Sequence, residues 1–281
     1  MSTSHVWFIT GASKGFGLEM THQLLRAGHR VAATSRSLDG LQQAVGDLPD
    51  TFLPLEVDLL SESSVAAAVD ATLAAFGRID VVVNNAGYGQ LGSLEELSMA
   101  EARQNFDVNV FGTLNVIRHV MPQLRAQQSG HIVNISSIAG ITGNFPGWGV
   151  YCGSKFAVEG MSESLAAEVK PFGIKVTVVE PGYFRTDFLK DHSMNLPAHR
   201  MEEYATVRES ETFHADHMAG NQPGDPAKAV AAIIDMTASD TPPLHLILGP
   251  DAYGMAEQKI AALQQDMEAW QAVSRSTDFA E

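Results

Sequence analysis

The sequence predicts an α/β fold: a Rossmann-type, doubly wound sheet of seven parallel strands with helices on both faces, forming one domain over residues 1–281. Three observations predict it. Short apolar runs, of the kind buried on both faces of a parallel sheet, alternate with helical periodicity from residue 6 to residue 249. The first run, residues 6–10, breaks into Gly11-Ala-Ser-Lys-Gly15-Phe-Gly17 and a helix that stops at Gly28, and residues 30–35 return as a second strand to complete a βαβ unit. No repeat, low-complexity tract or Pro/Ser-rich linker divides the chain.

Composition narrows the function. Lys and Arg total 18 against 33 acidic residues, a formal charge of -15, and that field repels nucleic acid and anionic membrane surfaces. The single cysteine, Cys152, leaves no internal disulfide and no thiolate metal cluster, which suits a reducing compartment. No run approaches a membrane span and the first residues lead straight into a strand, so the expected location is cytoplasmic. The ten histidines form no His-x-x-x-His pair; His214 and His217 are read as solvated loop residues, and no metal site is expected.

Along the chain, the first glycine turn makes Gly11, Ser13, Lys14, Gly15, Phe16 and Gly17 candidate dinucleotide contacts. Such a turn lets backbone approach a diphosphate, while the following helix offers unpaired N–H groups. The second strand ends Ser35-Arg36-Ser37 with no acid before Asp39. An acid there would accept from the ribose of NAD, whereas Arg36, with Lys14 reaching the same phosphate, favours NADP over NAD. A third strand, 51–57, closes at Asp58, a candidate adenine contact, and Ser61 caps a helix reaching residue 76. The fourth strand, 79–83, ends in Asn84-Asn85-Ala86-Gly87 at the same sheet edge, so Asn85, Ala86 and Gly87 join the candidates.

A helical pattern over 100–127 is interrupted at Asn109-Val-Phe-Gly112. On periodicity alone Asn109 is a satisfied core amide or marks a kink. The fifth strand, 131–135, delivers Ser136-Ser137, and Tyr151-Cys-Gly-Ser-Lys155 opens a helix in which residues four apart share a face. An ammonium beside a phenol favours the phenolate, so Tyr151 and Lys155 form a candidate acid/base pair, with Ser137 placed to hydrogen-bond a substrate oxygen. The sixth strand, 174–180, turns at Pro181-Gly182, with Thr186 beyond. Residues 183–224 show no long apolar periodicity yet carry aromatics and methionines, and are expected to be a substrate-binding loop or lid. Asp225-Pro226 begins a helix to Met236, and 244–249 form the seventh strand. The C-terminal extension, 251–281, carries a helical stripe at Ile260, Leu263, Met267 and Trp270 that needs a surface to cover, on this subunit or another. Phe145, Trp148, Tyr183 and Phe184 suggest an apolar substrate pocket.

Together, Thr10-Gly11 to Gly17, Asn84-Asn85-Ala86-Gly87, Asn109, Ser137, Tyr151 with Lys155, and Pro181-Gly182 with Thr186 resemble the classical short-chain dehydrogenase/reductase family through residue 249. The resemblance implies that Tyr151 is the general acid and that Lys155 binds the nicotinamide ribose while lowering the tyrosine pKa. It also implies that Ser137 meets the carbonyl oxygen and that Asn109 holds a water linking Lys155 to solvent. By the same resemblance Asp58 contacts adenine, Thr186 contacts the nicotinamide carboxamide, and the chain forms a homodimer or homotetramer. Two departures stand out. Ser137 lies one residue farther from Tyr151 than is commonest, which leaves Ser136 as an alternative, and Phe184 replaces a smaller aliphatic. The wording Tyr-Cys-Gly-Ser-Lys is similar to the branch of steroid and retinol dehydrogenases. The expected function is an NADPH-dependent reductase of a hydrophobic ketone or aldehyde, or the reverse alcohol oxidation. The alternative is an NADP-binding sensor or scaffold without turnover.

Overall fold

The computed structural model describes residues 4–46, 48–190 and 193–279. The ends of the expected domain and its residue 47, residues 191 and 192 of the expected lid, and the last two residues of the extension lie outside the described residues.

The main sheet is seven-stranded and parallel throughout. Its strands are β1 (Val6–Ile9), β2 (Arg30–Ser35), β3 (Phe52–Glu56), β4 (Val81–Asn84), β6 (Gly130–Ile135), β7 (Ile174–Pro181) and β9 (His245–Leu248), in the order β3-β2-β1-β4-β6-β7-β9. The order reverses between β1 and β4, so the turns after these two strands open a crevice at the carboxyl edge. A second, two-stranded piece pairs β5 (Gly89–Gln90) with β8 (Met194–Asn195), a pairing with no sequence signal.

Every residue of β1 is buried, which is why the run shows no polar alternation. Period two still sorts its side chains. Trp7 and Ile9 pack with Met20 and Leu24 of α1 (Gly15–Arg26) and with Val230 and Ile233 of α8 (Pro226–Thr237). Phe8 faces the other layer, among Val65 and Val69 of α3 (Glu62–Phe76), Val116, Val120 and Leu124 of α5 (Gly112–Gln127) and Leu165 of α6 (Gly149–Val169). Truncating such a fully buried aromatic costs about 3–5 kcal/mol, so Phe8 ties its layer, as Trp7 and Ile9 tie the other, to the strand that carries the glycine turn.

Helix boundaries follow their caps. Ser37 caps α2 (Leu38–Val45), Ser61 caps α3, Ser98 and Glu101 form a reciprocal box on α4 (Met99–Phe106), and Asp225 accepts from Ala227 and Lys228 at the start of α8. The interruption near Asn109 is a π-helical turn, Asp107–Phe111, joining α4 to α5.

One expectation after β7 needs correction. The segment expected to be loop contains α7 (Ala205–Thr212) and a π-helical continuation, Phe213–Met218, pinned by charge rather than by apolar periodicity. Glu96 is buried beneath it and accepts from Arg208 at 2.8 Å, from Met201 N–H at 2.8 Å and from Ser93 N–H at 2.7 Å. Burial alone would raise that carboxyl, yet these donors hold it below the ordinary range. Of the two surfaces expected for the C-terminal stripe, one on this subunit or one on another, the first is not found for α9 (Pro250–Ala269) among the described residues. Only Ala252 and Ala256 bury against Ile138 and its neighbours, and every described residue from 257 onward is exposed, including the Ile260, Leu263, Met267 and Trp270 stripe. The helix, about 30 Å long, runs past the edge of its own body, so the stripe covers no described surface of this chain.

Candidate active site

A cavity of about 880 Å³ opens on the carboxyl edge of the sheet, and every predicted site residue lines it except Gly17 and Asn109, which stand behind its wall. Its first end is the pair of turns after β1 and β4. Thr10 Oγ1 accepts from the N–H groups of Asn85 (3.0 Å) and Ala86 (3.1 Å), and Asn85 Nδ2 donates to the Thr10 and Gly11 carbonyls, both at 3.0 Å. The Asn85 amide thus clips the two turns together. Gly11 has φ +66, and a Cβ there would lie 2.8 Å from Ala86 Cα; a Cβ on Gly17 would lie 2.6 Å from the Gly11 carbonyl oxygen and 2.7 Å from Asn85 Nδ2. Backbone approaches backbone here because side chains are missing.

These residues fit a dinucleotide. The N-terminus of α1 has neither a side-chain cap nor an acid in its first turn, so its leading N–H groups face the cavity mouth without a competing acceptor. Arg36 follows β2 into the same cavity, and no acid intervenes on that strand. Lys14 departs from expectation: its Nζ donates to Ser193 Oγ at 2.6 Å, bridging the glycine turn to the segment expected to be a lid. Burial, with Arg36 nearby, lowers its pKa. Thr186 faces Gly15, and its Oγ1 accepts from Phe188 N–H at 3.3 Å. Asp58 turns back on its own loop, accepting from Leu60 N–H at 3.0 Å.

At the middle of the cavity Tyr151 and Lys155 share a face of α6, with Lys155 Nζ 5.7 Å from the Tyr151 ring centre. The expected lowering of the phenol pKa is not found. Burial raises it, the Ser137 hydroxyl beside it acting in the opposite direction, so Tyr151 holds its proton at neutral pH. Lys155 Nζ donates to the Ile135 carbonyl at 3.0 Å, and burial lowers its pKa to about 8 against the opposing pull of Glu159. Ser137 Oγ accepts from Ala139 N–H at 3.1 Å, opening the short turn Ile138–Gly140 and aiming its hydroxyl at the cavity. Ser136, the alternative, is 4% exposed and turned toward Glu159 around Gly140, although it too borders the cavity.

Asn109 is a satisfied core amide. Its Nδ2 donates to the Tyr88 carbonyl (3.0 Å) and Ser154 Oγ (3.1 Å), and its Oδ1 accepts from Tyr88 N–H (3.0 Å). A Cβ on Gly87 would lie 3.1 Å from that Oδ1 and 3.6 Å from Lys155 Nζ, so both atoms border one small volume.

The other end is aromatic. Trp148 packs edge-on to Tyr151 at 5.5 Å between ring centres, Phe188 lies 5.8 Å from Tyr151, and Phe145 and Tyr183 complete the lining. Phe184 instead packs against Phe16 at 5.4 Å and belongs mainly to the core under the glycine turn. His214, expected to be solvated, is 5% exposed. It sits 4.9 Å from the Trp148 ring and joins the Tyr183 hydroxyl at 2.9 Å. The sequence offered no signal for this burial, because the atom that holds the ring is the main-chain carbonyl of Ser210, at 2.6 Å from Nδ1.

The family pattern for short chain dehydrogenases matches residues 5–196. The chain is 36% identical over 271 residues to oxidoreductase BOA17 of Botryotinia fuckeliana, covering 96% of this chain and 97% of that one. It is 38% identical over 244 residues to a 3-ketodihydrosphingosine reductase of Bacteroides thetaiotaomicron, covering 86% and 87%. A solved short-chain dehydrogenase from Streptomyces avermitilis superposes with a TM-score of 0.90 at 37% identity, over 99% of this chain and 100% of its own. Two structures at 26% identity, from Brucella melitensis (TM-score 0.71, covering 87% and 96%) and Burkholderia cenocepacia (TM-score 0.72, covering 95% and 96%), are complexes with NADH and with NADP respectively. A shared fold, a matching pattern and nicotinamide-binding neighbours lead to one conclusion: this chain is an oxidoreductase of the short-chain dehydrogenase/reductase family.

Proposed function

We propose that the protein is an NADPH-dependent reductase of hydrophobic carbonyl compounds. The observation that carries this reading is the placement of Tyr151 and Lys155 on one face of α6, lining the cavity between the nucleotide-fitting turns and an aromatic pocket. The bound nicotinamide supplies hydride when reduced. The chain's own residues do the rest. Ser137 Oγ steadies the substrate oxygen, and Tyr151 gives that oxygen its proton as negative charge develops. Lys155, anchored by the Ile135 carbonyl, holds the ribose and places positive charge beside the phenol; Thr186 meets the carboxamide and Asp58 the adenine. The volume bordered by Asn109 Oδ1 and Lys155 Nζ holds the water that returns a proton to Lys155. Phe145, Trp148, Tyr183 and Phe188 exclude solvent around the substrate's apolar part.

The preference for NADPH rests on Arg36 and on the missing acid at the end of β2. Lys14, held by Ser193, contributes a closure contact. The reading has the active molecule as a cytoplasmic homodimer or homotetramer acting on small molecules. Replacing Tyr151 by Phe removes the proton donor and leaves the ring; kcat is expected to fall by about 10²–10⁴ while nicotinamide binding, followed by fluorescence, persists. Full turnover in that variant would refute the role. The sensor alternative predicts no reduced-nicotinamide consumption by the wild type across a broad carbonyl panel.

A further inference from the structure

We propose that the far wall of the cavity recognises a hydrogen-bond donor on the substrate, a hydroxyl or ammonium group remote from the reacting carbonyl, and that the Tyr183 oxygen accepts it. This rests on the reductase reading above and names the class of carbonyl compound that reading leaves open.

The argument follows hydrogens one bond at a time. The Ser210 carbonyl oxygen only accepts, and His214 Nδ1 lies 2.6 Å from it, so Nδ1 carries the hydrogen. The imidazole is buried beneath Trp148 and Phe213, and burial lowers its pKa from the ordinary histidine value, keeping the ring neutral at neutral pH. A neutral ring protonated at Nδ1 has a bare lone pair at Nε2. The Tyr183 hydroxyl is 2.9 Å from that Nε2 and therefore donates its single hydrogen there. What Tyr183 then presents to the cavity is oxygen lone pairs alone.

The group is also fixed in place. Tyr183 N–H donates to Asp251 Oδ2 at 2.7 Å, tying the residue to the start of α9, and the ring belongs to the same cluster as Trp148 and Tyr151. Of the neighbouring wall residues, Phe145, Phe188 and Leu189 carry no polar side-chain atom, and the Trp148 ring lies against Tyr151 and His214. In such a wall an ether or ester oxygen facing the Tyr183 oxygen sets lone pair against lone pair, whereas a donor completes the Ser210–His214–Tyr183 chain.

The test uses matched aryl ketones: 4-(4-hydroxyphenyl)butan-2-one and its chain-length homologues against their methyl ethers. With the wild type and NADPH, the best hydroxyl compound is expected to exceed its own ether in kcat/KM by about tenfold or more. Tyr183→Phe lowers that ratio toward unity. So does His214→Phe, because the freed Tyr183 hydroxyl can then donate to the ether. Melting temperature and nicotinamide binding check that each variant is folded. A wild-type ratio near one for every homologue, or variants that keep the wild-type ratio, overturns the proposal whether or not a variant folds poorly. If no ketone is turned over, the reductase reading fails by itself. Calorimetric affinities of the same pairs then decide the donor site separately, and equal affinities overturn it.

Discussion

The two ends of the cavity are built by opposite rules. At the nucleotide-fitting end, Thr10, Gly11, Gly17 and Asn85 come from two strand–turn units, and the short side chains of Thr10 and Asn85 bond to backbone that approaches closely where the glycines lack a Cβ. At the substrate end, Tyr183 meets His214 across 31 residues, and Glu96 meets Arg208 across 112, through side-chain hydrogen bonds and rings. The first end tolerates almost no added atom, because the space beside its glycines is already filled, while the second is held by side-chain pairs distant in sequence. Gly17→Ala breaks the first end hardest. Its Cβ would meet the Gly11 carbonyl oxygen at 2.6 Å and Asn85 Nδ2 at 2.7 Å, and neither can retreat without opening the joint between the turns. Overpacking of this kind costs about 1–3 kcal/mol. We expect a lower melting temperature and nicotinamide affinity at least about tenfold weaker, read by fluorescence titration. A variant with unaltered affinity would mean that the joint yields more readily than these contacts allow.

Arg36→Ala sharpens the same contrast inside the nucleotide end, because it removes charge without touching the turns. A charge-assisted hydrogen bond is worth about 1.5–3 kcal/mol, so the ratio of kcat/KM for NADPH to that for NADH should drop by about 10–100-fold, mostly through the KM of NADPH. Rates measured with both nicotinamides decide it. An unmoved ratio would assign discrimination to some other group, with Lys14 the first to examine despite its bond to Ser193.

What was legible in the sequence follows the same division. The seven strands, the glycine turn, Ser61 and Asp225 as caps, and the shared face of Tyr151 and Lys155 all depend on neighbours a few residues apart, which spacing encodes. The α7 helix and its continuation were read as loop because Glu96, Arg208, Glu211 and Arg200 hold them by ion pairs, and ion pairs leave no apolar period. His214 was read as solvated because its burial comes from Trp148 and Tyr183, in other elements. The upward shift of the Tyr151 pKa has a related origin: its leading cause is burial, which no spacing displays, whereas the lysine four residues on is visible in the sequence. The stripe on α9 was correctly periodic, but periodicity does not say which surface lies opposite.

The smallest effect concerns the floor behind Tyr151 and Lys155. Glu180, fully buried at the end of β7, lies 2.7 Å from His245 Nδ1. Glu159, one helical turn beyond Lys155 on α6, lies 3.7 Å from the same atom. Two carboxylates this close and this buried cannot both ionise freely; burial first, and mutual repulsion on Glu159, hold the pair above the ordinary carboxylate value of 4.5. The native state therefore keeps protons that the unfolded chain releases as pH rises past 4.5. More protons bound in the native state means that this contribution to stability is complete at acid pH and declines as pH climbs through the raised native values. Glu180→Gln removes the titrating group while preserving its shape and a polar partner for His245. The melting temperature of the variant, relative to wild type, is expected to rise steadily between acid and mildly alkaline pH, by a few degrees at most. A constant difference across that range would show that Glu180 binds protons alike in the native and the unfolded chain, and would overturn the raised native value.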